Sequence, residues 1–405
     1  MRIRLPSMVA IQFAAVLALT VPTVGAGAAD NAVEGSRPAV DASFTTVFTP
    51  VLGIEGLTGD TDGNLYTAAR GGSNPCPVYR VPAAGPSAAA TVVGTIAAPC
   101  GPAGLAFGPD GRLYIADSGR IVVLRPDAAS PPQAAVFAAG VPGANGVAFD
   151  RRGRLWVSDG VTGQGRVWRI GNDGTDGVPT EVFRVQPMVN EVNLVNGVGG
   201  VGRDPRSAPP ATVTVTPNGR SAANTEGSQH LVANGLAFDQ DGTLFVADTA
   251  RGAIWRVPIE ADGEPSSPVG CDSTFQPDTL CLDNVLVAHP YLEGVDGIAV
   301  DRSGTIWGTA NERNAVVTVS RNGRVVEFFR NPADATSRLR NGGPLEFPTS
   351  PFLLDDRLCI TQSDGSRRDN FPTTGGEVGP QLPGRAKISC LDQSLLVPGL
   401  PLPVR

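Results

Sequence analysis

The sequence predicts an all-β fold, a six-bladed β-propeller with four-stranded blades around a central channel. Glycine and proline are frequent, at 50 and 36 of 405 residues, while charged residues make up only 18% of the chain. That composition suits many short strands joined by turns. One hairpin signature also recurs along the chain, and no segment holds a sustained apolar period of 3.6 residues. A helical or α/β fold therefore has little support.

The N-terminus has the pattern of an export signal, which we place at residues 1–28. Arg2 and Arg4 form a basic start, residues 8–24 are mostly apolar and uncharged with Gln12 as the most polar interruption, and residues 26–28 are small, as at a cleavage site. A membrane anchor is the alternative, but the apolar run is short for a spanning helix. We therefore expect a secreted or periplasmic protein that does not bind the membrane after cleavage.

The charge balance argues against a nucleic-acid partner. The formal net charge is −7, and loss of Arg2 and Arg4 with the export signal leaves 30 of the 32 basic residues against 39 acidic ones. An excess of negative charge repels phosphate backbones. We expect a small-molecule partner and a monomeric mature chain.

The six cysteines predict disulfide bonds. None lies in a Cys-x-x-Cys pair, and the chain has only two histidines, so a zinc or iron–sulfur site of the usual kind is disfavoured. An exported protein with an even cysteine count is expected to form three disulfides. Fifteen pairings are possible, and proximity in sequence favours Cys76–Cys100, Cys271–Cys281 and Cys359–Cys390.

The hairpin signature explains the predicted blades. Each copy has an apolar run, a tight turn that ends in glycine, and a second apolar or aromatic run, which is the pattern of a β-hairpin. Further β-prone runs follow each copy, so one blade holds about four strands in roughly 40 to 50 residues. The copies begin at Glu55, Ala103, Asn145, Asn234 and Asp296, with a degraded sixth copy from Thr349.

The spacing of the copies defines the domain organisation. A linker is expected at 29–43 and a single propeller domain at 44–405. The gap between the third and fourth copies is long, and we predict a loop insertion at about 187–229 that caps one face, with a hidden seventh blade as the alternative. Strand-like segments at 44–48 and 387–391 are expected to share a blade and close the ring.

The first residue of each copy is the candidate functional position. Equivalent positions of successive blades surround the channel, so Glu55, Asn145, Asn234 and Asp296 are expected to meet at one point on the axis. Carboxylate and amide oxygens suit Ca²⁺, with Mg²⁺, Mn²⁺ or Zn²⁺ as alternatives. Asn before Gly is also ordinary turn chemistry. Four oxygen-bearing residues in register, two of them acidic, favour a metal site over that alternative.

The chain resembles the senescence-marker-protein/gluconolactonase (regucalcin-like) family over nearly all of the mature segment. The resemblance implies six four-stranded blades, a divalent ion held by the four leading residues, and lactone hydrolysis. The C-terminal segment resembles that of secreted bacterial members. The residues that carry the resemblance are Glu55-Gly56, Asn145, Asn234-Gly235-Leu236, Asp296-Gly297 and Trp307.

The chain also departs from this family. Sugar-lactonase members often carry an arginine that contacts substrate shortly before the third-copy Asn, whereas residues 142–144 here are Pro, Gly and Ala. We therefore predict a metal-dependent hydrolase of a lactone or related ester without assigning the substrate. Asp296 is the expected metal ligand and proton acceptor, because a carboxylate keeps a second oxygen. Glu55, Asn145 and Asn234 are expected to be ligands only.

Other functions stay open at this point. Strictosidine-synthase-like or arylesterase-like enzymes share the fold, as does a non-enzymatic binding propeller. A streptogramin-lyase-like enzyme and a Ser–His–Asp triad both need histidine, and the chain offers only His230 and His289. We expect His230 to be a solvated loop residue and His289 to be structural.

Three further aspartates recur with the hairpins. Asp117, Asp159 and Asp248 each end the second strand of a copy. Such regular recurrence favours hydrogen bonds to turn backbone over catalysis.

Overall fold

The computed structural model describes residues 42–50, 52–70, 74–82, 89–162, 164–171, 177–185, 192–194, 213–215, 233–266, 279–330, 344–363 and 386–401. All of these belong to one unit, which spans residues 35–405. The expected export signal and most of the expected linker lie outside the described residues. No helix in the described ranges is long and apolar enough to cross a membrane.

The described residues form strands and three short 3-10 helices, at Leu282–Asn284, Pro290–Leu292 and Asn311–Arg313. The strands are β1 (Phe44–Phe48), β2 (Thr58–Gly59), β3 (Leu65–Ala68), β4 (Cys76–Val81), β5 (Thr91–Ile96), β6 (Pro102–Phe107), β7 (Leu113–Leu124), β8 (Ala135–Phe149), β9 (Leu155–Asp159), β10 (Arg166–Ile170), β11 (Pro179–Arg184), β12 (Val192–Leu194), β13 (Val213–Val215), β14 (Ala233–Phe238), β15 (Leu244–Asp248), β16 (Ala253–Val257), β17 (Val285–Ala288), β18 (Val295–Val300), β19 (Ile306–Ala310), β20 (Ala315–Val319), β21 (Val325–Arg330), β22 (Pro348–Leu354), β23 (Arg357–Gln362) and β24 (Lys387–Leu391).

The strands form an all-β propeller with five blades, not six. Four blades have four strands, in the orders β2-β3-β4-β5, β14-β15-β16-β17, β18-β19-β20-β21 and β1-β24-β23-β22. The remaining blade has six, β6 to β11. The prediction of six separate four-stranded blades is wrong because β7 and β8 are long, at 12 and 15 residues. Strand β8 pairs with β7 through its first part and with β9 through its second part, which belongs to the third copy, so the second and third copies of the signature share one sheet.

The copies of the signature pack against one another in a closed circle. In five copies the second residue is glycine, and a Cβ atom there would clash with the backbone carbonyl of the first residue of the next copy; these are Gly56, Gly104, Gly146, Gly235 and Gly297. The sixth contact closes the circle, because the Thr349 hydroxyl donates to the Glu55 carbonyl at 2.7 Å. This close packing holds the first residues of all copies around one centre.

The hairpin turns have the geometry that the sequence predicts. The turn glycine of each intact copy has a positive φ, between 73° and 87°: Gly63, Gly111, Gly153, Gly242 and Gly304. In three of these turns the first residue is an aspartate that accepts a hydrogen bond from the aromatic residue of the second strand, at Tyr66, Trp156 and Trp307. Trp307 Nε1, for example, donates to Asp301 Oδ2 at 3.0 Å. The repeated turn therefore anchors the large core residue of its own hairpin.

The two ends of the described chain share a blade, as predicted. Strand β1 pairs antiparallel with β24, which pairs in turn with β23. Disulfides join Cys76 to Cys100 and Cys359 to Cys390, which confirms two of the expected pairings. Cys271 of the third pairing lies outside the described residues.

Removal of the Cys359–Cys390 disulfide is expected to destabilise this blade strongly. The two residues are 31 positions apart, and a cross-link of that span lowers the entropy of the unfolded chain by an amount worth about 3 to 4 kcal/mol. The Cys359→Ala/Cys390→Ala variant should lose about that much free energy of unfolding in urea. An unchanged midpoint and slope of the urea transition would contradict this role.

The predicted insertion at 187–229 lies largely outside the described residues. Within it, β12 and β13 form a separate two-stranded antiparallel sheet. The segment is thus not wholly a loop, and its described strands join none of the five blades.

Candidate functional site

Two pairs of the four predicted site residues interact directly. Glu55, Asn145, Asn234 and Asp296 are all buried, with 1% to 9% of their surface exposed. The Asn145 amide donates from Nδ2 to Glu55 Oε1 at 3.2 Å. The side chains of Asn234 and Asp296 are also hydrogen-bonded to each other. The fold thus brings the four leading residues together in two hydrogen-bonded pairs.

A second set of residues accompanies the first. In each hairpin, the residue before the leading position pairs with a residue of the second strand. In four hairpins the residue after that partner contacts the leading residue. The pairs include Ile54 with Ala69, Ala233 with Asp248, and Val295 with Ala310. We call the next residue the following position, and its occupants are Arg70, Ser118, Gly160, Thr249, Asn311 and Ser363.

The following residues orient the leading ones. Asn311 is fully buried at the start of its 3-10 helix and donates from Nδ2 to Asp296 Oδ2 at 3.0 Å. Gly160 lies against the Asn145 side chain, and a Cβ atom there would be 2.6 Å from it. Arg70 contacts Glu55 through Nη2 and Oε2.

Thr249 fixes the orientation of the Asn234 amide. Its hydroxyl donates its single proton to the Val295 carbonyl at 2.6 Å. It can therefore only accept from Asn234, whose Nδ2 lies 3.0 Å away. The amide oxygen then faces the other way, and Asn234 Oδ1 is buried without a hydrogen-bond partner. A buried acceptor in this state is destabilising unless a donor or a cation reaches it.

Asp296 has an environment that disfavours its negative charge. Burial raises the pKa of the Asp296 carboxyl to about 7, although the hydrogen bond from Asn311, the charge of Arg70 and the hydrogen bond with Asn234 each act to lower it. The protein groups around it thus only partly compensate for the loss of water. A further positive charge at this point would stabilise the ionised carboxylate.

A cavity of about 150 Å³ lies on the axis beside these residues. It is lined by residues one to three positions further along the leading segments, and most of them are glycine or aliphatic: Leu57, Thr58, Gly104, Leu105, Gly146, Val147, Gly235, Leu236, Gly297, Ile298, Ala299, Ser350, Pro351 and Phe352. The polar ring therefore caps an apolar section of the channel.

The recurrent aspartates cap turns, as predicted. Asp117 accepts from the backbone amide of Gly101 at 2.6 Å, Asp159 from that of Thr162 at 2.8 Å, and Asp248 from that of Arg251 at 2.9 Å. Each also forms an ion pair with an arginine of its own hairpin, at Arg120, Arg166 and Arg251. These carboxylates therefore already have hydrogen-bond and ion-pair partners within the protein.

The two histidines do not belong to this ring. His289 Nδ1 accepts from the Tyr291 amide at 3.1 Å and caps a 3-10 helix, in keeping with the structural role expected for it. His230 lies outside the described residues. Among the residues that the structure describes, no group of three or more His, Cys, Asp and Glu side chains is placed to hold a metal ion. The ring of four leading residues differs from such a cluster, because two of its members, Asn145 and Asn234, are amides.

A family model for the SMP-30/Gluconolactonase/LRE-like region matches residues 193–345. The predicted resemblance to this family is confirmed over that segment. The matched segment contains Asn234 and Asp296, whereas Glu55 and Asn145 lie before it. No curated protein sequence matches the chain significantly.

Solved structures of low sequence identity share the propeller fold. Regucalcin, a calcium-binding protein from Agrobacterium tumefaciens str. C58, is 18% identical, with a TM-score of 0.53, over 89% of this chain and 97% of that one. A putative gluconolactonase is 15% identical, with a TM-score of 0.52, over 90% and 96% of the two chains. A luciferin-regenerating enzyme is 13% identical, with a TM-score of 0.53, over 89% and 98%.

The sequence interpretation missed the three following residues that bind a leading side chain, Arg70, Thr249 and Asn311. A signal for them exists, because each stands four residues after the aromatic residue of the second strand: Tyr66, Phe245 and Trp307. Their types differ from copy to copy, so composition alone does not reveal the pattern. The strand register does.

Proposed function

We propose that this protein is a member of the gluconolactonase-like family and a metal-dependent hydrolase of a lactone or related ester. The observation that carries the proposal is the buried Asn234 Oδ1, which has no hydrogen-bond partner and is oriented by Thr249 beside the Asp296 carboxyl. A divalent cation would satisfy this oxygen and stabilise the carboxylate together. The match to the family model and the fold of the calcium-binding relative agree with it.

The residues present fit such an ion. Glu55, Asn145, Asn234 and Asp296 supply two carboxylates and two amide oxygens, the hard donors that Ca²⁺ prefers. When bound, the ion would polarise the substrate carbonyl and make a nearby water more acidic. We propose Ca²⁺ first, and Mg²⁺, Mn²⁺ or Zn²⁺ after it.

Asp296 would also move the proton. Asn311 donates to Asp296 Oδ2 and holds the carboxyl in one orientation. In this proposal Asp296 takes a proton from the attacking water, whose oxygen forms a bond to the carbonyl carbon. The ring C–O bond then breaks, and the same proton passes to the departing oxygen, which gives a hydroxy acid. Glu55 and Asn145 hold each other in place at the opposite side of the ring.

A panel of aldonolactones, other lactones and aryl esters tests this proposal. Hydrolysis of a lactone by purified protein should stop with a chelator and return when the metal is restored. Faster turnover of aryl esters would favour an arylesterase-like enzyme, and ligand binding without turnover would favour a binding propeller. The proposal would be overturned if the protein hydrolysed none of these substrates in the presence of Ca²⁺, Mg²⁺, Mn²⁺ or Zn²⁺.

The orienting role of Thr249 gives a sharper prediction. Thr249→Val removes the hydroxyl that accepts from Asn234 but keeps the side-chain volume, so the amide loses its fixed orientation. Ion affinity should fall by about 10-fold, as is typical when a residue that orients a ligand is lost. Thr249→Ser keeps the hydroxyl and should keep wild-type affinity. Equal affinities of all three proteins, measured by calorimetry, would show that Thr249 has no such role.

We propose an extracytoplasmic location as well. The Cys76–Cys100 and Cys359–Cys390 disulfides support it, because such bonds persist in oxidising compartments. The N-terminal sequence of the protein recovered from the producing cells tests it, and an intact segment 1–28 would contradict cleavage.

A further inference from the structure

The structure places an arginine in the candidate site that the repeat pattern does not explain. Arg70 occupies the following position of the first hairpin, where the other five copies have Ser, Gly, Thr, Asn and Ser. Its backbone is held next to the leading residue, since its amide donates to the Gly53 carbonyl at 2.8 Å. Its side chain therefore starts from a fixed point beside Glu55.

Arg70 differs from the arginines of the neighbouring hairpins. Arg120, Arg166 and Arg251 each pair with the recurrent aspartate of their own hairpin. In the first hairpin that position is Ala69, so Arg70 has no such aspartate. Instead it pairs with Glu55 and is attracted to Asp296. The arginine thus compensates the two carboxylates of the candidate metal site.

A divalent ion would change this charge balance. Glu55 and Asp296 together carry two negative charges, which a divalent ion neutralises. The Arg70 guanidinium would then have no unneutralised carboxylate in the ring as its partner. The Arg70 side chain is 53% exposed, and its one other contact described is a long hydrogen bond from Nε to the Pro102 carbonyl, at 3.5 Å. It is therefore able to bind a group that arrives from solvent.

We propose that Arg70 forms an anion-binding subsite, which takes the carboxylate of the hydroxy acid that lactone hydrolysis produces. This inference rests on the proposed function. Arginine suits the role because its planar guanidinium binds a carboxylate through two parallel hydrogen bonds. In the ion-free protein Arg70 pairs with Glu55. In the ion-loaded protein it binds the carboxylate of the hydroxy acid near the ion. Arg70 also competes with the ion for Glu55, so its removal strengthens ion binding.

Calorimetry with D-gluconate as the anion and D-glucitol as its neutral counterpart tests the subsite. Both ligands are titrated into ion-free and Ca²⁺-loaded protein, for the wild type, Arg70→Met, Arg70→Lys and Arg321→Met. Arg321 is a matched control, because its side chain is 51% exposed and pairs with a surface aspartate. The affinity of each protein for Ca²⁺ alone is measured in the same series.

The subsite predicts a specific pattern of affinities. Ca²⁺-loaded wild type should bind gluconate, and Arg70→Met should bind it at least about 10-fold more weakly, with glucitol binding unchanged. Arg70→Lys should lie between them, and Arg321→Met should match the wild type. Arg70→Met should bind Ca²⁺ more tightly than the wild type does. Equal gluconate affinities of wild type and Arg70→Met would overturn the subsite while leaving the proposed function intact. Failure of the wild type to bind Ca²⁺ or any other divalent ion would overturn both.

Discussion

Replacement of Asp296 by asparagine is expected to reduce lactone hydrolysis by at least about 100-fold, because it removes a metal ligand charge and the proton acceptor together. The change is almost isosteric, so Asn311 and Asn234 keep a partner of the same shape. The loss should appear in kcat and kcat/KM alike, since the interaction is needed in the transition state. Steady-state kinetics at saturating metal measure it.

The matched control is Asp301→Asn in the same blade. Asp296 stands near the start of β18, whereas Asp301 follows the end of that strand and is equally buried. Asp301 accepts hydrogen bonds within its turn, from Ser303 and Trp307. Its replacement should lower stability but leave kcat near the wild-type value. If both variants lost activity equally, a general loss of structure and not the loss of Asp296 chemistry would explain the result.

Gly235→Ala is expected to destabilise the fold by about 3 kcal/mol, at the upper end of the cost of overpacking. A Cβ atom at Gly235 would lie 2.6 Å from the Asp296 carbonyl oxygen and 2.8 Å from backbone atoms of Gly297 and Ile298. All three neighbours are backbone, so none can move away as a flexible side chain does. Either the fourth and fifth copies separate or the leading strands bend.

Urea denaturation with a common slope measures the change in the free energy of unfolding. Gly119→Ala serves as the control, because a Cβ atom there has no neighbour within 4 Å. That variant should stay within about 0.5 kcal/mol of the wild type. A Gly235→Ala protein as stable as the Gly119→Ala protein would show that the copies do not pack as tightly as the structure indicates.

The repeat pattern explains what could be predicted. An intact copy marks its turn, its core aromatic residue and its leading residue within one short segment. The placement of the leading residues around one centre therefore follows from the register of the repeat, whereas their pairwise contacts do not. The positive φ of Gly63 and the turn role of Asp159 follow in the same way, since both are local.

The missed features depend on interactions between copies. Strand β7 either ends after its hairpin with β6 or continues and pairs with β8, and the backbone pairing with β8 decides which. The residue types at that point of the sequence do not indicate the outcome. Arg70 was missed for a similar reason. Its role comes from Ala69 standing where the following copy has Asp117, so the significant feature is a missing carboxylate and not a motif.

A calorimetric titration of chelator-treated wild-type protein with Ca²⁺, repeated with Mg²⁺, Mn²⁺ and Zn²⁺, tests the candidate metal centre directly. We expect one ion per chain for at least one of these metals, and no binding at the same concentrations by the Glu55→Gln/Asp296→Asn double variant. Wild-type protein that binds none of the four ions, or a double variant that binds one ion as tightly as the wild type, would contradict the assignment of Glu55, Asn145, Asn234 and Asp296 as a metal centre.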